Sequence, residues 1–560
     1  MKRLLWNIMA TVSLLIMTIG CGTNEEGGEN GEELTFTLTS TDLNCNTSKD
    51  IRVNAPFTGK TYTLTVSASA KTVWSVAVES GDLVTVSPSG EQKGNGEIQI
   101  VAAANPNETF GKKGVVIIKN NANNKPLRIY FTQSNKELYI PEGTEGQTRE
   151  EFNSPDSKYN VHCMMESENI AILWDRAFTT NPLSDRIRPF DPEELLEVGE
   201  EVYAFMRNDL KFASGTSSYS DMYKLIMFVR YNDEGTAYGG GDKKNKVAIL
   251  WVSPNHLKDP NHNIIYHEMC HCFQYIAEFD GATDFGGVGT FYEMTSQWSL
   301  LQRYPNWIEL ENSHFKDFMK QTHLALGHKE NQYHSPYVLE YWANKHGVDI
   351  ISKMWQQANA TDQRDFIRTY QRITGTNQQK FNEEIYEAAT RFITWDLEHI
   401  KTAYQQGANI HTCELDLYGD VYAIASTRCP QNYGYNGIKL KVPAAGTTVT
   451  INFEGVTSSN NGFVIQKPEK AEWRYGFLAV KTDDTRIYGE MNKVNASSKS
   501  GTATFTVPEG TKHLWLVVAA TPTEYWHSED NQWPYEFTLD GTEPDGDKCK
   551  VTRKYETVIC

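Results

Sequence analysis

Ile264-Ile265-Tyr266-His267-Glu268-Met269-Cys270-His271-Cys272-Phe273-Gln274-Tyr275 sets two histidines four apart in an otherwise apolar run. On an α-helix, positions i and i+4 share a face, so His267 and His271 can turn their imidazoles toward one metal ion. Glu268 then leans over the ion's open position, where a carboxylate can take a proton from water. H-E-x-x-H at this spacing is the pattern of a helix that binds zinc, Zn2+, through its two histidines. The flanks place that helix in an α/β domain. Val247-Ala248-Ile249-Leu250-Trp251-Val252 is a continuous apolar run of strand length, and a turn-rich stretch from Ser253 to Asn263 follows it. Downstream, Gly286-Gly287 breaks the chain before a second helical segment, Thr290-Phe291-Tyr292-Glu293-Met294-Thr295-Ser296-Gln297-Trp298. A hairpin of two helices returns Glu293 to the histidine pair. Two His, one Glu and a water make a four-coordinate site with one exchangeable position. A solvated helix glutamate is the competing reading of Glu293, and Glu278, Asp280 and Asp284 are the competing carboxylates. Glu278 falls two turns beyond His271, about 10 Å by helical rise, too far to share an ion. Asp280 and Asp284 are read as acceptors for an imidazole N–H.

Strand, histidine helix and glutamate helix in this order resemble the gluzincin class of metallopeptidases. The pattern is closer still to an uncharacterised family of zincin-like secreted proteins. These pair H-E-x-x-H-x-x-Q with a later W/Y-E-x-x-A/S-x-W, here His267 to Gln274 and Tyr292 to Trp298. The resemblance spans residues 167–404 loosely and is sharp in the two helices. It implies zinc held by His267, His271 and Glu293, with Glu268 as the base. Thermolysin-like gluzincins carry an Asp four residues after the third ligand, bonded to a ligand histidine. Gln297 stands there in this chain, and an amide accepts an imidazole N–H without adding charge. Tyr333 and His334, read as part of the next helical segment, are the candidate donors to a tetrahedral oxyanion. The strand 247–252 is read as the edge on which an extended peptide lies. Cys270 and Cys272 are read as packing residues of the helix.

The N-terminus is basic at Lys2 and Arg3, apolar from Leu4 to Ile19, and small at Gly20-Cys21. That is the form of a secretory signal peptide over 1–20, and its apolar stretch of about 16 residues is short for a membrane span. Thr18-Ile19-Gly20-Cys21 resembles a bacterial lipobox, which implies lipid on Cys21 and a surface-exposed outer-membrane lipoprotein. A periplasm-facing or secreted protein is the alternative. Residues 21–33 are rich in Gly and Glu and read as a disordered acidic tether, similar to surface-export signals of some gut bacteria. The net charge of −18 becomes −20 once Lys2 and Arg3 are removed. Such a charge argues against nucleic acid, and against membrane contact other than through Cys21. Cysteine proximity suggests Cys413 with Cys429 and Cys549 with Cys560 as disulfides, although spacing does not fix connectivity.

The rest of the chain reads as three folded blocks. Residues 34–135 hold short alternating strands separated by turns, the pattern of a β-sandwich. Trp74, the Val86 to Gly90 turn, the Asn105 turn, Gly111 to Gly114 and the closing Ile129 to Ser134 resemble the BACON family. Those are immunoglobulin-like modules of secreted carbohydrate-active enzymes and proteases. The resemblance implies possible glycan binding. No exposed aromatic platform is read, Trp74 is read as core, and a spacer is the preferred role. Residues 148–407 are α/β, a small sheet and a helical lobe with the site in the cleft between them. Asp191 caps a helix begun by Pro192, and further helices are read over 335–346, 349–357, 362–373 and 381–404. Residues 410–560 return to alternating strands, an antiparallel, jelly-roll-like β-sandwich. There Trp473, Tyr475, Trp526 and Trp533 are either a sugar groove or packing residues. The expected architecture is therefore multidomain: an N-terminal Ig-like β-sandwich, a central zincin-like metallopeptidase domain and a C-terminal β-sandwich. The expected activity is zinc-dependent hydrolysis of polypeptide or glycoprotein at the cell surface. The alternative is a catalytically inactive surface lipoprotein that binds glycan or glycoprotein through its β-modules.

Overall fold

The computed structural model describes residues 33–554 apart from 44, 46–49, 57, 105–111, 134–138, 179–180, 214–217 and 459–461. The expected signal peptide, Cys21, nearly all of the tether, the Asn105 turn and Cys560 lie outside the described residues. No helix among the described residues is long and apolar enough to cross a membrane. The chain divides into two compact units.

Among the described residues, the first unit lies within 33–52, 61–102 and 114–130. It is built on two sheets. One runs in the order Phe36–Thr39, Lys60–Ala68, Gly96–Ala102, Val84–Ser87. The other carries Val73–Gly81 between Gly90–Lys93 and Lys112–Asn120. Alternation decides the faces: Tyr62, Leu64 and Val66 are buried while Thr61 and Thr65 are exposed. Trp74 is buried, and its indole N–H donates to the Gly94 carbonyl at 2.8 Å, so it is core.

The second unit holds the described residues from 131 to 554 with parts of two short earlier segments. Its central sheet runs Met164–Glu166, Ile170–Trp174, Leu225–Val229, Val247–Val252, Tyr238–Asp242. The three inner strands are parallel and the two outer ones antiparallel. Both faces of the inner strands are covered, which is why they read as unbroken apolar runs. Ile172, Met227 and Leu250 face the helices, whereas Leu173, Phe228 and Ile249 face Phe152 and Tyr159. The strand 247–252 is thus interior, not the edge expected for it. The turn after Asp242 folds the chain back, with the Asp242 carboxylate accepting from Lys244 and Asn245 N–H groups. This pairs Tyr238–Asp242 along the outside.

Asp191 caps the helix Pro192–Ala204 as expected, accepting from Glu193 N–H at 2.9 Å. The histidine helix is Asn263–Phe279 and the glutamate helix is Thr290–Arg303. The lobe continues with Tyr337–His346, Ile350–Gln357, Phe366–Thr374 and Gln378–Phe392. The helix expected to reach residue 404 stops at Phe392. Beyond it Trp395 takes a left-handed φ of 53° and buries its indole against the Gly407 carbonyl at 2.9 Å, a conformation a helix cannot hold.

The C-terminal strands form a six-stranded and a five-stranded sheet, together sandwich-like. Glu472–Lys481 and Thr511–Ala520 pair at the centre of the second. One face of that pair shares a core with the six-stranded sheet and the other, through Leu478, Trp515 and Val517, joins the core of the helical lobe. Trp473, Tyr475 and Trp533 are buried, so the groove reading is lost for these three. Nor does the proposed Cys413–Cys429 pair form: Cys413, Cys429 and Cys549 are free thiols. Strand pairing sets Cys413 opposite Cys549 on parallel neighbours, a relation between residues far apart in the chain.

Candidate metal centre

His267 and His271 share one face of the histidine helix. Two thirds of the other residues of that helix are buried, Ile265, Met269 and Phe273 completely, so its position is set by packing rather than by the histidines. The Asp259 carboxylate anchors its start, accepting from Asn263 N–H at 2.9 Å. After the helix the chain turns through Gly286-Gly287. A Cβ on Gly287 would stand 2.7 Å from the Gln363 and Arg364 carbonyl oxygens, so only glycine lets the turn pass this close. Arg364 also pairs with Asp284 at 2.5 Å. The glutamate helix then runs back along the first.

The outcome is one cluster: ligating atoms of His267, His271 and Glu293 all lie within 4.8 Å of one another. Glu293 Oε2 is 3.0 Å from His267 Nε2 and 3.3 Å from His271 Nε2. Donors about 2.0–2.1 Å from a tetrahedral zinc are separated by about 3.3 Å, so these spacings fit the ion. Burial alone would raise the Glu293 carboxyl, but the two imidazoles outweigh it and hold the group far below the usual carboxylate range. For His271, burial opposes its charge and the Glu293 and Glu268 carboxylates prevail, raising its pKa.

Glu268 is oriented by the edge strand. Gly239 N–H donates to Glu268 Oε2 at 2.6 Å. Tyr333 and His334 lie in a turn, not in a helix. The Tyr333 ring stacks on His267, with centroids 6.2 Å apart and planes at 25°. Burial and then the Glu293 carboxylate push its phenol up to about 12, so it keeps its proton as a donor. His334 goes elsewhere: its Nδ1 is 2.7 Å from His314 Nδ1, and among the described residues it meets that ring rather than the ligands. Burial, followed by His334, depresses His314 to about 4.

The partners of the ligands differ from expectation. Gln297 accepts from the buried Trp307 indole at 3.1 Å and is committed to it. Gln274 takes the role foreseen for Gln297, with Oε1 2.8 Å from His271 Nδ1. Asp280 accepts from the N–H of Tyr219, a residue far back in the chain, and Asp284 accepts from Gly286 N–H in its own loop, so each is engaged elsewhere. Glu278 accepts from the Tyr292 phenol at 2.6 Å and pairs with Lys243 at 2.8 Å. Gly239 had no place in the sequence reading. Its signal was the run Gly239-Gly240-Gly241, since glycine within a strand marks close backbone approach.

Fold and donor set together define a mixed sheet with the histidine helix packed on it and the glutamate helix packed on that helix, the two bringing a His/His/Glu triad to one point. The chain belongs to DUF6055, a family of unknown function, whose model matches residues 130–546. No curated protein matches it. Solved structures similar to parts of the chain include WR4, an MSP family member of C. elegans, 17% identical over 15% of this chain and 92% of that one, TM-score 0.12. A second is the C-terminal family 22 carbohydrate binding module of Clostridium thermocellum Xyn10B, 11% identical over 22% of this chain and 80% of that one, TM-score 0.13. A third is the secreted serine protease VesC of Vibrio cholerae, 7% identical over 92% of this chain and 51% of that one, TM-score 0.16.

Proposed function

We propose that this protein is a zinc-dependent peptidase of gluzincin type. It would act on protein or glycoprotein at the cell surface, anchored through lipid on Cys21 and held off the membrane by its Ig-like, BACON-type module. The observation that carries the reading is the meeting of His267, His271 and Glu293 at zinc-like donor spacings beside the Glu268 carboxylate. Zinc held there supplies a water of near-neutral pKa and polarises a substrate carbonyl. Glu268, steadied by Gly239 N–H, takes the proton of the attacking water and returns it to the leaving amine. Tyr333, protonated and stacked on His267, donates to the developing oxyanion. His334 acts on His314 and is left out of the chemistry. An extended peptide pairs its backbone with the outer edge of Tyr238–Asp242, the strand that reaches Glu268. The alternative of glycan binding through the C-terminal sheets has lost three of its four aromatics to the core.

Metal analysis of purified protein, with a cleavage screen on whole-proteome substrate, tests the reading. Wild type should hold stoichiometric zinc and His267→Ala should lose it, because two ligands bind far more weakly than three. Glu268→Gln should keep zinc and lose turnover by about 10²–10⁴-fold. Turnover kept in that variant removes Glu268 from the mechanism, and zinc kept in His267→Ala removes the site.

A further inference from the structure

Gln274 sits one turn beyond His271 on the histidine helix and is wholly buried. Its Nε2 donates to the Tyr292 carbonyl at 3.0 Å and lies 3.4 Å from Ser296 Oγ. A backbone carbonyl only accepts, so the atom facing Tyr292 is the NH2 and the atom facing His271 is the carbonyl oxygen. That oxygen, 2.8 Å from His271 Nδ1, can only accept as well. The proton of a neutral His271 is therefore on Nδ1, and Nε2, the nitrogen 3.3 Å from Glu293 Oε2, keeps its lone pair for a metal. The other half of the same amide holds the carbonyl of Tyr292, the residue before Glu293. One neutral side chain thus touches both ligand-bearing helices.

We propose that Gln274 is a positioning residue of the metal centre, setting the tautomer of His271 while registering the helix that carries Glu293. The proposal rests on the zinc reading above. Being neutral, the amide raises the basicity of His271 less than a carboxylate would, and the donor set keeps a single negative charge, on Glu293. The centre is built to hold its ion less tightly, and to leave it more electron-poor, than one whose histidine is backed by Asp.

Two variants of the full chain separate positioning from packing. Gln274→Met keeps length and apolar bulk but cannot accept from His271. Gln274→Glu keeps the acceptor and loses the NH2 that holds Tyr292. Zinc alone, competed against a chromogenic chelator, is the probe. Gln274→Met, which loses both contacts, should weaken zinc by about 10–100-fold, and Gln274→Glu, which loses only the contact to Tyr292, should weaken it clearly less. Equal losses in both would make Gln274 a packing residue and overturn the proposal, as would wild-type affinity in Gln274→Met. The tautomer gives a readout that needs no metal. In mildly alkaline buffer, nitrogen NMR of metal-free protein with labelled histidine should show His271 protonated at Nδ1 in wild type and in Gln274→Glu, but not in Gln274→Met. Protonation at Nε2 in wild type overturns the proposal. A wild type that binds no zinc yet shows Nδ1–H would instead fail the zinc reading, and the role at a metal with it, while the hydrogen bond to His271 stands.

Discussion

Gly239 lacks a side chain where the edge strand meets Glu268, the base of the proposed mechanism. A Cβ there would stand 1.9 Å from the Glu268 carbonyl oxygen, inside the backbone of the histidine helix. Gly239→Ala must lift the strand and draw its amide away from the Glu268 carboxylate. The peptidase turnover proposed above should fall at least about 10-fold with the proposed zinc retained, and stability by about 1–3 kcal/mol, as overpacking of a tight contact costs. Gly240→Ala is the matched control, because its Cβ would meet the Tyr275 ring at 3.6 Å, an ordinary contact. If both variants turn over at the wild-type rate, the edge strand does not orient Glu268. The same contrast operates at Gln297 and Gln274. Each stands about one turn from a proposed ligand, and the neighbour with the greater need decides between them. Trp307 buries an indole N–H that requires an acceptor, and Gln297 supplies it.

Among the elements, the helix Tyr337–His346 packs on the glutamate helix through an ionisable group. Glu340 is 1% exposed and accepts from Gln302. Burial pushes its carboxyl up to about 8, against 4.5 for an ordinary glutamate. Between those values the folded chain holds a proton that the unfolded chain releases. This contribution to stability is complete below about pH 4.5 and is lost as pH rises through about 8, with a slope of up to about 1.4 kcal/mol per pH unit. Chemical denaturation of wild type and Glu340→Gln across this window should show a shallower pH dependence in the variant, whose amide stays neutral. Parallel pH profiles would mean that Glu340 is ionised in the folded protein.

On the scale of the whole molecule, the helical lobe and the C-terminal sheets share a buried polar link. Arg474 and Glu472, both within 1% of complete burial, pair on the strand Glu472–Lys481. Arg474 also donates to Gln379 at 3.0 Å and to Thr521 at 2.9 Å, and Asn382 donates to Thr521 O at 2.9 Å. Gln379 and Asn382 belong to the helix Gln378–Phe392, so the network ties that helix to the sheet. Arg474→Met leaves Glu472 buried without its partner and should cost about 3–5 kcal/mol. Because the core is continuous, the loss should appear as a shift of one unfolding transition covering lobe and sheets together. A variant in which the sheets melt alone while zinc stays bound would show two independent domains.

What the sequence determined by itself was local. Residues four apart on a helix share a face whatever surrounds them, so the histidine pair and the adjacent glutamate were legible from spacing. The Asp191 cap was legible too, for its geometry is set by neighbours in the chain, and Gly286-Gly287 was legible as a break, although only the fold shows that Gly287 must clear the Gln363 and Arg364 carbonyls. Tertiary structure decided what depends on residues far apart. Nothing in Val247–Val252 says that a glycine-rich strand will pair outside it, and nothing in Glu472–Lys481 says that the charged Glu472 and Arg474, alternating with Trp473 and Tyr475, will be buried as well. Cys413 meets Cys549 by strand order rather than by distance along the chain. Which glutamine backs a ligand was settled by competition among buried donors, since each must find an acceptor once water is gone. Periodicity tells which side of an element faces inward, and only packing tells what it faces.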